Sequence, residues 1–158
     1  MAFRLVTSGG AVTDPAVVNI RASGTVWPGC VVEFSRTGGA GVNAAAAAST
    51  STTIFGVCLD YAQGASDAEV KVISFTRGQL WEADCVDAAL TAQIGLRHQL
   101  NAGALLVRNT STDLGAGNAA TAVFRAVAMV GSTSGSGKLI GYFRTTEGTY
   151  FPSQTTYA

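Results

Sequence analysis

The sequence predicts a mainly β fold, a single compact β-barrel or β-sandwich-like domain with one short helix. Three observations carry that expectation. Apolar residues come in short runs such as Ile54–Leu59 and Leu139–Phe143, the length of strands and well short of helices. Clusters of Gly, Ser, Thr, Asn and Asp separate these runs, and 19 glycines in 158 residues make a turn-rich chain. Glu69-Val70-Lys71-Val72 alternates charge and Val, the period of a strand with one wet face. At this length one domain buries roughly two-thirds of its unfolded surface without a disulfide or metal. The expected division is an extended N-terminal arm over 1–24, a β-rich domain over 25–144 and a C-terminal tail over 145–158.

In the arm, Phe3-Arg4-Leu5-Val6 reads as a short strand, Ser8-Gly9-Gly10 as a break and Asp14-Pro15 as a turn. Ala16–Arg21 reads as a second extended piece. These pieces fit either an ordinary first strand or an arm that adds a strand to the sheet edge of a partner. The domain opens with Val26–Phe34. There Val26, Cys30, Val32 and Phe34 share one parity, and Trp27, Val31 and Glu33 the other; Pro28 lies near the start, where no central ladder bond is lost. Residues 36–53 are rich in Ala, Ser and Thr and carry no amphipathic stripe. Five consecutive alanines are too few for a self-supporting helix, so a surface loop or flap is expected.

Residues 53–82 read as a β-meander of three extended segments. The apolar parity changes from Val70 and Val72 to Ile73 and Phe75, which means either a bulge or a strand buried on both faces. Residues 83–90 are the helix candidate, with Asp84 as N-cap and Ala88-Ala89 favouring the helix. Residues 91–100 are ambiguous, with Leu96, Leu100 and Ile94 as core candidates. Leu105–Arg108 is a strand and 109–118 a loop. Thr121–Val130 is the longest regular strand, with Phe124, Ala126, Ala128 and Val130 on one face and Val123, Val127 and Met129 on the other. Apolar on both faces, it belongs in a sheet centre or against a neighbouring subunit. Residues 131–137 are a hairpin loop, and Lys138–Arg144 closes the domain.

Composition narrows the function classes. Only 13% of residues are charged, ten acidic and ten basic, giving a formal net charge of zero. No basic stripe is available for nucleic acid. A weakly charged, neutral surface also lacks the self-repulsion that keeps a monomer dispersed, so part of it is expected to be covered by neighbours. The N-terminal apolar run is too short for a secretory leader, and no stretch approaches a membrane helix; a soluble, untargeted chain is the expectation. Cys30, Cys58 and Cys85 form no CxxC pair and each lies in or beside an apolar segment. They read as buried thiols of a protein made in a reducing cytoplasm.

Sites of chemistry are few. Ser134-Gly135-Ser136-Gly137-Lys138 misses the phosphate-loop pattern, with Ser132 where a Gly is needed and Leu139 where a hydroxyl should hold Mg²⁺. Gly115–Ala120 fits a relaxed dinucleotide pattern without the strand and helix it needs. His98, the one histidine, has no nucleophile and carboxylate at a telling spacing and reads as part of an ordinary, partly exposed segment. Glu82, Asp84 and Asp87 form an acidic cluster that a solvated helix start explains better than a Ca²⁺ site. Trp27 and Trp81 are either core residues or interface anchors. No catalytic, cofactor-binding or metal-binding set emerges, and a binding or structural role is expected instead of an enzymatic one.

The strand "FGVCL" at 55–59, the small-residue turn after it, "VKV" at 70–72 and "RGQLWE" at 77–82 resemble the core of phage capsid decoration (cement, head-stabilising) proteins. The resemblance spans 25–143 and consists of turns and apolar strands. It implies a β-tulip-like domain on the exterior of a virion, made in the host cytoplasm. Its partners would be the major capsid protein and copies of itself, most simply a homotrimer at local three-fold positions, with no nucleic acid and no membrane. Phe3, Arg4, Leu5 and Val6 are then the expected capsid contacts, and Tyr150, Phe151 and Tyr157 the expected subunit contacts. On that reading, deleting residues 1–10 leaves the domain folded. The alternative is a tail- or fibre-associated β-domain that binds host carbohydrate in a groove lined by Trp27 or Trp81.

Overall fold

A computed structural model describes residues 3–7, 17–35, 41–46, 48–63, 68–76, 79–87, 89, 91–101, 107–108, 120–130 and 138–144. Over these the chain is mainly β and sandwich-like. Eleven strands follow in order: β1 (Phe3–Thr7), β2 (Val17–Arg21), β3 (Val31–Phe34), β4 (Val42–Ala44), β5 (Ile54–Cys58), β6 (Glu69–Ser74), β7 (Leu80–Ala83), β8 (Arg97–Leu100), β9 (Val107–Arg108), β10 (Phe124–Val130) and β11 (Lys138–Phe143). They form a six-stranded sheet, β1-β7-β11-β10-β8-β9, and a five-stranded sheet, β2-β6-β5-β3-β4. All neighbours pair antiparallel. The five-stranded sheet is built from one continuous stretch of sequence; the six-stranded sheet combines the N-terminal strand with the C-terminal half.

The sheets pack on each other through an apolar core. Val31, Ile54, Val57 and Phe75 come from the five-stranded side, and Phe3, Trp81, Leu100, Phe124, Leu139 and Phe143 from the six-stranded side. Phe143 is the hub, with ring centroids 4.3 Å from Phe75, 5.2 Å from Phe3 and Phe124 and 6.2 Å from Trp81. A second apolar cluster covers the opposite face of the five-stranded sheet. Val32, Cys58, Val70 and Val72 meet Ala22, Val26, Cys30 and Ala62, which fold over them. The parity change in β6 follows from this double burial: Val70 and Val72 enter the second cluster, while Ile73 packs on the first and Phe75 lies within it. The pairings of β6 run without a register shift, so a strand buried on both faces, not a bulge, explains the pattern.

Several expectations are corrected. The segment 53–82 is not a meander, because β6 pairs with β5 while β7 joins the other sheet. The corner is locked by Gln79, fully buried, whose Oε1 accepts from Thr76 N–H at 2.8 Å and whose Nε2 donates to Ser74 O at 3.2 Å. No helix occupies the described residues of 83–90. Ala83 ends β7, Val107 N–H donates to Asp84 O at 2.9 Å, and Val86 N–H donates to Val107 O at 3.0 Å. These bonds commit the segment to β9 instead of an i→i−4 ladder, and a 3-10 turn at Thr91–Gln93 is the helical element among the described residues. The Ala-rich tract contributes the edge strand β4, paired with β3. In β10 a register shift between Ala126 and Ala128 turns Val130 outward and Met129 inward, so the expected faces hold only as far as Ala126. Of the core candidates in 91–100, Leu100 is buried, Leu96 is half-buried and Ile94 is exposed.

The arm boundary at residue 24 does not follow the layout of the sheets. β1 is an edge of the six-stranded sheet and β2 an edge of the five-stranded one. The tail 145–158 and the loops over 109–118 and 131–137 lie outside the described residues.

Candidate functional site

β1 is held to β7 from both sides of the strand. Phe3 sits opposite Ala83 and is 1% exposed, in edge contact with Phe143. Alternation sends Arg4 to solvent, directly opposite Glu82, and their side chains bond at 2.8 Å. Lys138 of β11 reaches Asp84 at 3.0 Å and Glu82 at 3.4 Å, so the ion pairs bind three strands. Partial burial pushes the Glu82 carboxyl up, but Arg4 and Lys138 outweigh it and hold it below its ordinary 4.5. Asp84, and Glu82 after it, raise Lys138 above 10.5. Leu5 is half-buried on the core face, and Val6 is exposed.

The four expected capsid-contact residues therefore divide. Phe3 is a core residue and is corrected as a surface contact, because β1 needs a large apolar side chain to fill the space beside Phe124 and Phe143. Arg4 is engaged within the chain; Val6 is the large apolar side chain that β1 offers to solvent. Tyr150, Phe151 and Tyr157 lie outside the described residues.

The start of β1 meets a second feature. Phe3 N–H donates to Gly29 O at 3.2 Å. Gly29 belongs to the turn Trp27-Pro28-Gly29-Cys30, closed by Cys30 N–H to Trp27 O at 3.1 Å. Pro supplies φ near −65° at the first central position, and Gly29, at φ 84°, supplies the left-handed second one. Just before the turn, Val26 and Ala62 exchange reciprocal backbone bonds of 2.9 and 3.1 Å. Trp27 and Tyr61 flank that bridge with 37% and 57% of their surface exposed, and Leu59 is exposed nearby in sequence. The 59–61 segment is fixed to β6 by Leu59 N–H to Lys71 O and by Lys71 N–H to the Asp60 carboxylate, both at 2.8 Å. One end of the sandwich thus gathers the beginning of β1 and two anchored loops presenting apolar and aromatic side chains.

Trp81, 1% exposed, is core, and a groove lined by it is excluded; Trp27 is the tryptophan open to a ligand. Glu82 lies in β7 and Asp84 directly follows it; both are engaged with cations, and neither belongs to a helix start. Among the described residues no group of three His, Cys, Asp or Glu could hold a metal ion. His98 is fully buried, contrary to its expected exposure, because it sits opposite Phe124 with Nε2 3.2 Å from the carbonyl of Gln93 in the 3-10 turn. Cys30 and Cys58 are buried as expected, and Cys85 is half-buried. Among the described residues no helix is long and apolar enough to cross a membrane.

The sequence left Trp27 open as a core residue or an interface anchor, since it shares its parity with the fully buried Val31. The meeting of the Trp27 turn with β1 had no sequence signal, because it depends on a bond between segments that pattern alone does not bring together. No family model matches the chain, and searches among curated proteins and among solved structures return no match.

Proposed function

We propose that this chain is a structural virion protein that binds the outer surface of an assembled phage capsid, bridges neighbouring major capsid proteins and acts without catalysis. The observation that supports it most is the end of the sandwich where Trp27, Leu59 and Tyr61 are exposed beside the start of β1. With zero net charge and few charged residues, such a surface is stabilised by being covered. The strand patterns at 55–59, 70–72 and 77–82 add the resemblance to decoration proteins. Among the described residues no strand pairs with the outer edge of β1, which bonds Gly29 at Phe3, and Val6 is exposed, so the docking element is a rigid strand, not a loose arm.

The mechanism is mass action. Apolar contact contributes about 25 cal/mol per Å² buried, and a protein that binds only the assembled shell shifts the equilibrium towards assembly. A homotrimer at local three-fold positions multiplies weak contacts around a closed ring. The test is co-sedimentation of the purified chain with expanded, undecorated heads, with light scattering for its size. Retention at a fixed copy number per head and a trimeric mass are expected; no retention on any head overturns the reading.

A second reading, a tail- or fibre-associated domain binding host carbohydrate, draws on the exposure of Trp27 and Tyr61, since sugar rings stack on such faces. Glycan binding abolished by Trp27→Ala, together with no binding to heads, would favour it.

A further inference from the structure

We propose that Cys30 and Cys58 form an oxidation site, where a small-molecule disulfide converts the two thiols into an intramolecular bond that clamps β3 to β5. Three features of the backbone place them together. The register of β3 and β5, with Val31 opposite Val57, makes Cys30 and Cys58 the next opposed pair. Cys58 N–H donates to Cys30 O at 2.9 Å, and Gly29 N–H donates to Cys58 O at 2.7 Å. That is a bulge in which two residues, Gly29 with φ 84° and Cys30, face the single residue Cys58. Gly29 has no side chain, so Cys30 alone faces Cys58, and both lie in the second apolar cluster.

The reach is short. Opposed residues of an antiparallel pair have Cβ atoms about 4.5–5.5 Å apart, and a disulfide needs about 3.5–4.5 Å. The difference, roughly 1 Å, falls at a Gly-containing bulge and turn, where the backbone adjusts most easily. Trp27 N–H donates to Cys30 Sγ at 3.4 Å, and Cys58 Sγ lies 3.1 Å from Asp60 O, so both sulfurs are tethered beside the exposed loops. Interaction with Cys58 and burial push the Cys30 thiol up, while interaction with Cys30 holds Cys58 down. Cys58, whose sulfur lies 3.1 Å from Asp60 O beside the exposed 59–61 segment, is the attacking sulfur. Its thiolate displaces one thiolate from the reagent RS–SR, giving a mixed disulfide. Cys30 then loses its proton and attacks the Cys58 sulfur, expelling the second RS⁻. Two protein thiols are oxidised, and one reagent disulfide is reduced to two thiols. Both cysteines are fully buried, so entry waits on opening of the Trp27 turn.

Cys85 serves as an internal control. It packs against the first core, on the other side of the five-stranded sheet, and burial pushes its thiol up to about 11. The full chain is incubated natively with excess oxidised glutathione, quenched in acid, alkylated in denaturant and mapped by mass spectrometry. A Cys30–Cys58 linked peptide is expected in about tenfold or greater excess over either pairing through Cys85, because that pair sits on opposed strand positions within a small adjustment of disulfide reach, while Cys85 packs against the other core. The same reaction in denaturant should give all three pairings in comparable amounts. Cys30→Ser should stop at a glutathione adduct on Cys58. Three alkylatable cysteines after native incubation, or a native product paired through Cys85, overturns the proposal.

Discussion

The ring of Phe143 lies 4.3 Å from that of Phe75 with planes 22° apart, and this stacked pair joins the two sheets. Phe75 follows β6 of one sheet, and Phe143 ends β11 in the middle of the other. Because Phe143 also touches Phe3, Trp81 and Phe124, Phe143→Ala opens a cavity that several side chains cannot all collapse into. The expected loss is about 3–5 kcal/mol, read from urea unfolding, with Phe143→Leu retaining more than half of it.

Gly141 pairs with Ala126 at the register shift of β10. A methyl group there would run into the carbonyl of Arg125 and come within 2.7 Å of the Phe124 ring. Gly141→Ala is therefore expected to cost about 1–3 kcal/mol as overpacking, although it adds a better strand former. Equal stability of the two proteins by thermal unfolding would contradict this account of the bulge.

The Glu82 carboxyl titrates below its unfolded value, so its contribution is complete above about pH 4.5 and is lost as pH falls through the folded value. Glu82→Gln should cost roughly 0.2–1 kcal/mol at neutral pH and low salt, in the range of exposed pairs, since Arg4 is largely in water. The difference from the parent should shrink progressively as pH falls below 4.5, and also in 1 M salt. A constant difference across that range would mean that the charge is not the cause.

Phe3 and Val6 separate folding from docking. Phe3→Ala should destabilise by about 3–4 kcal/mol. Deleting residues 1–10 should likewise destabilise the domain, the reverse of the expectation for a free arm. Val6→Ser should leave stability within about 0.5 kcal/mol and reduce retention on expanded heads several-fold. Retention unchanged by Val6→Ser would remove β1 from the docking surface.

Most strands were legible because burial leaves a mark on sequence. The period of two in Glu69–Val72 and the apolar runs at 54–59 and 139–143 mark strands that the structure contains. The double burial of β6 was legible as one of two alternatives. Which sheet a strand joins was not, because Leu80–Ala83 carries the same pattern in a meander as across a corner, and the corner depends on Gln79 being satisfied by its local backbone. The helix expected at 83–90 failed because local propensity is worth tenths of a kcal/mol per residue, less than the bonds to Val107. The candidate surface was legible at Trp27 only as one of two alternatives, core or interface, and illegible at Phe3, since an amphipathic run of four residues fits an intramolecular edge and an intermolecular one equally well.

The placement of β11 between β7 and β10 sets a timetable for synthesis. The five-stranded half is complete once the ribosome has passed residue 74, whereas its counterpart lacks its middle until residue 143 emerges, on the order of ten seconds later at ordinary elongation rates. During that interval the N-terminal strand can pair only with β7, whose other edge stays uncovered until β11 is made. A nascent chain stalled before residue 138 should therefore be far more sensitive to protease and chaperone than one stalled beyond the exit tunnel after 144, a penalty that a terminal strand at the margin would not impose.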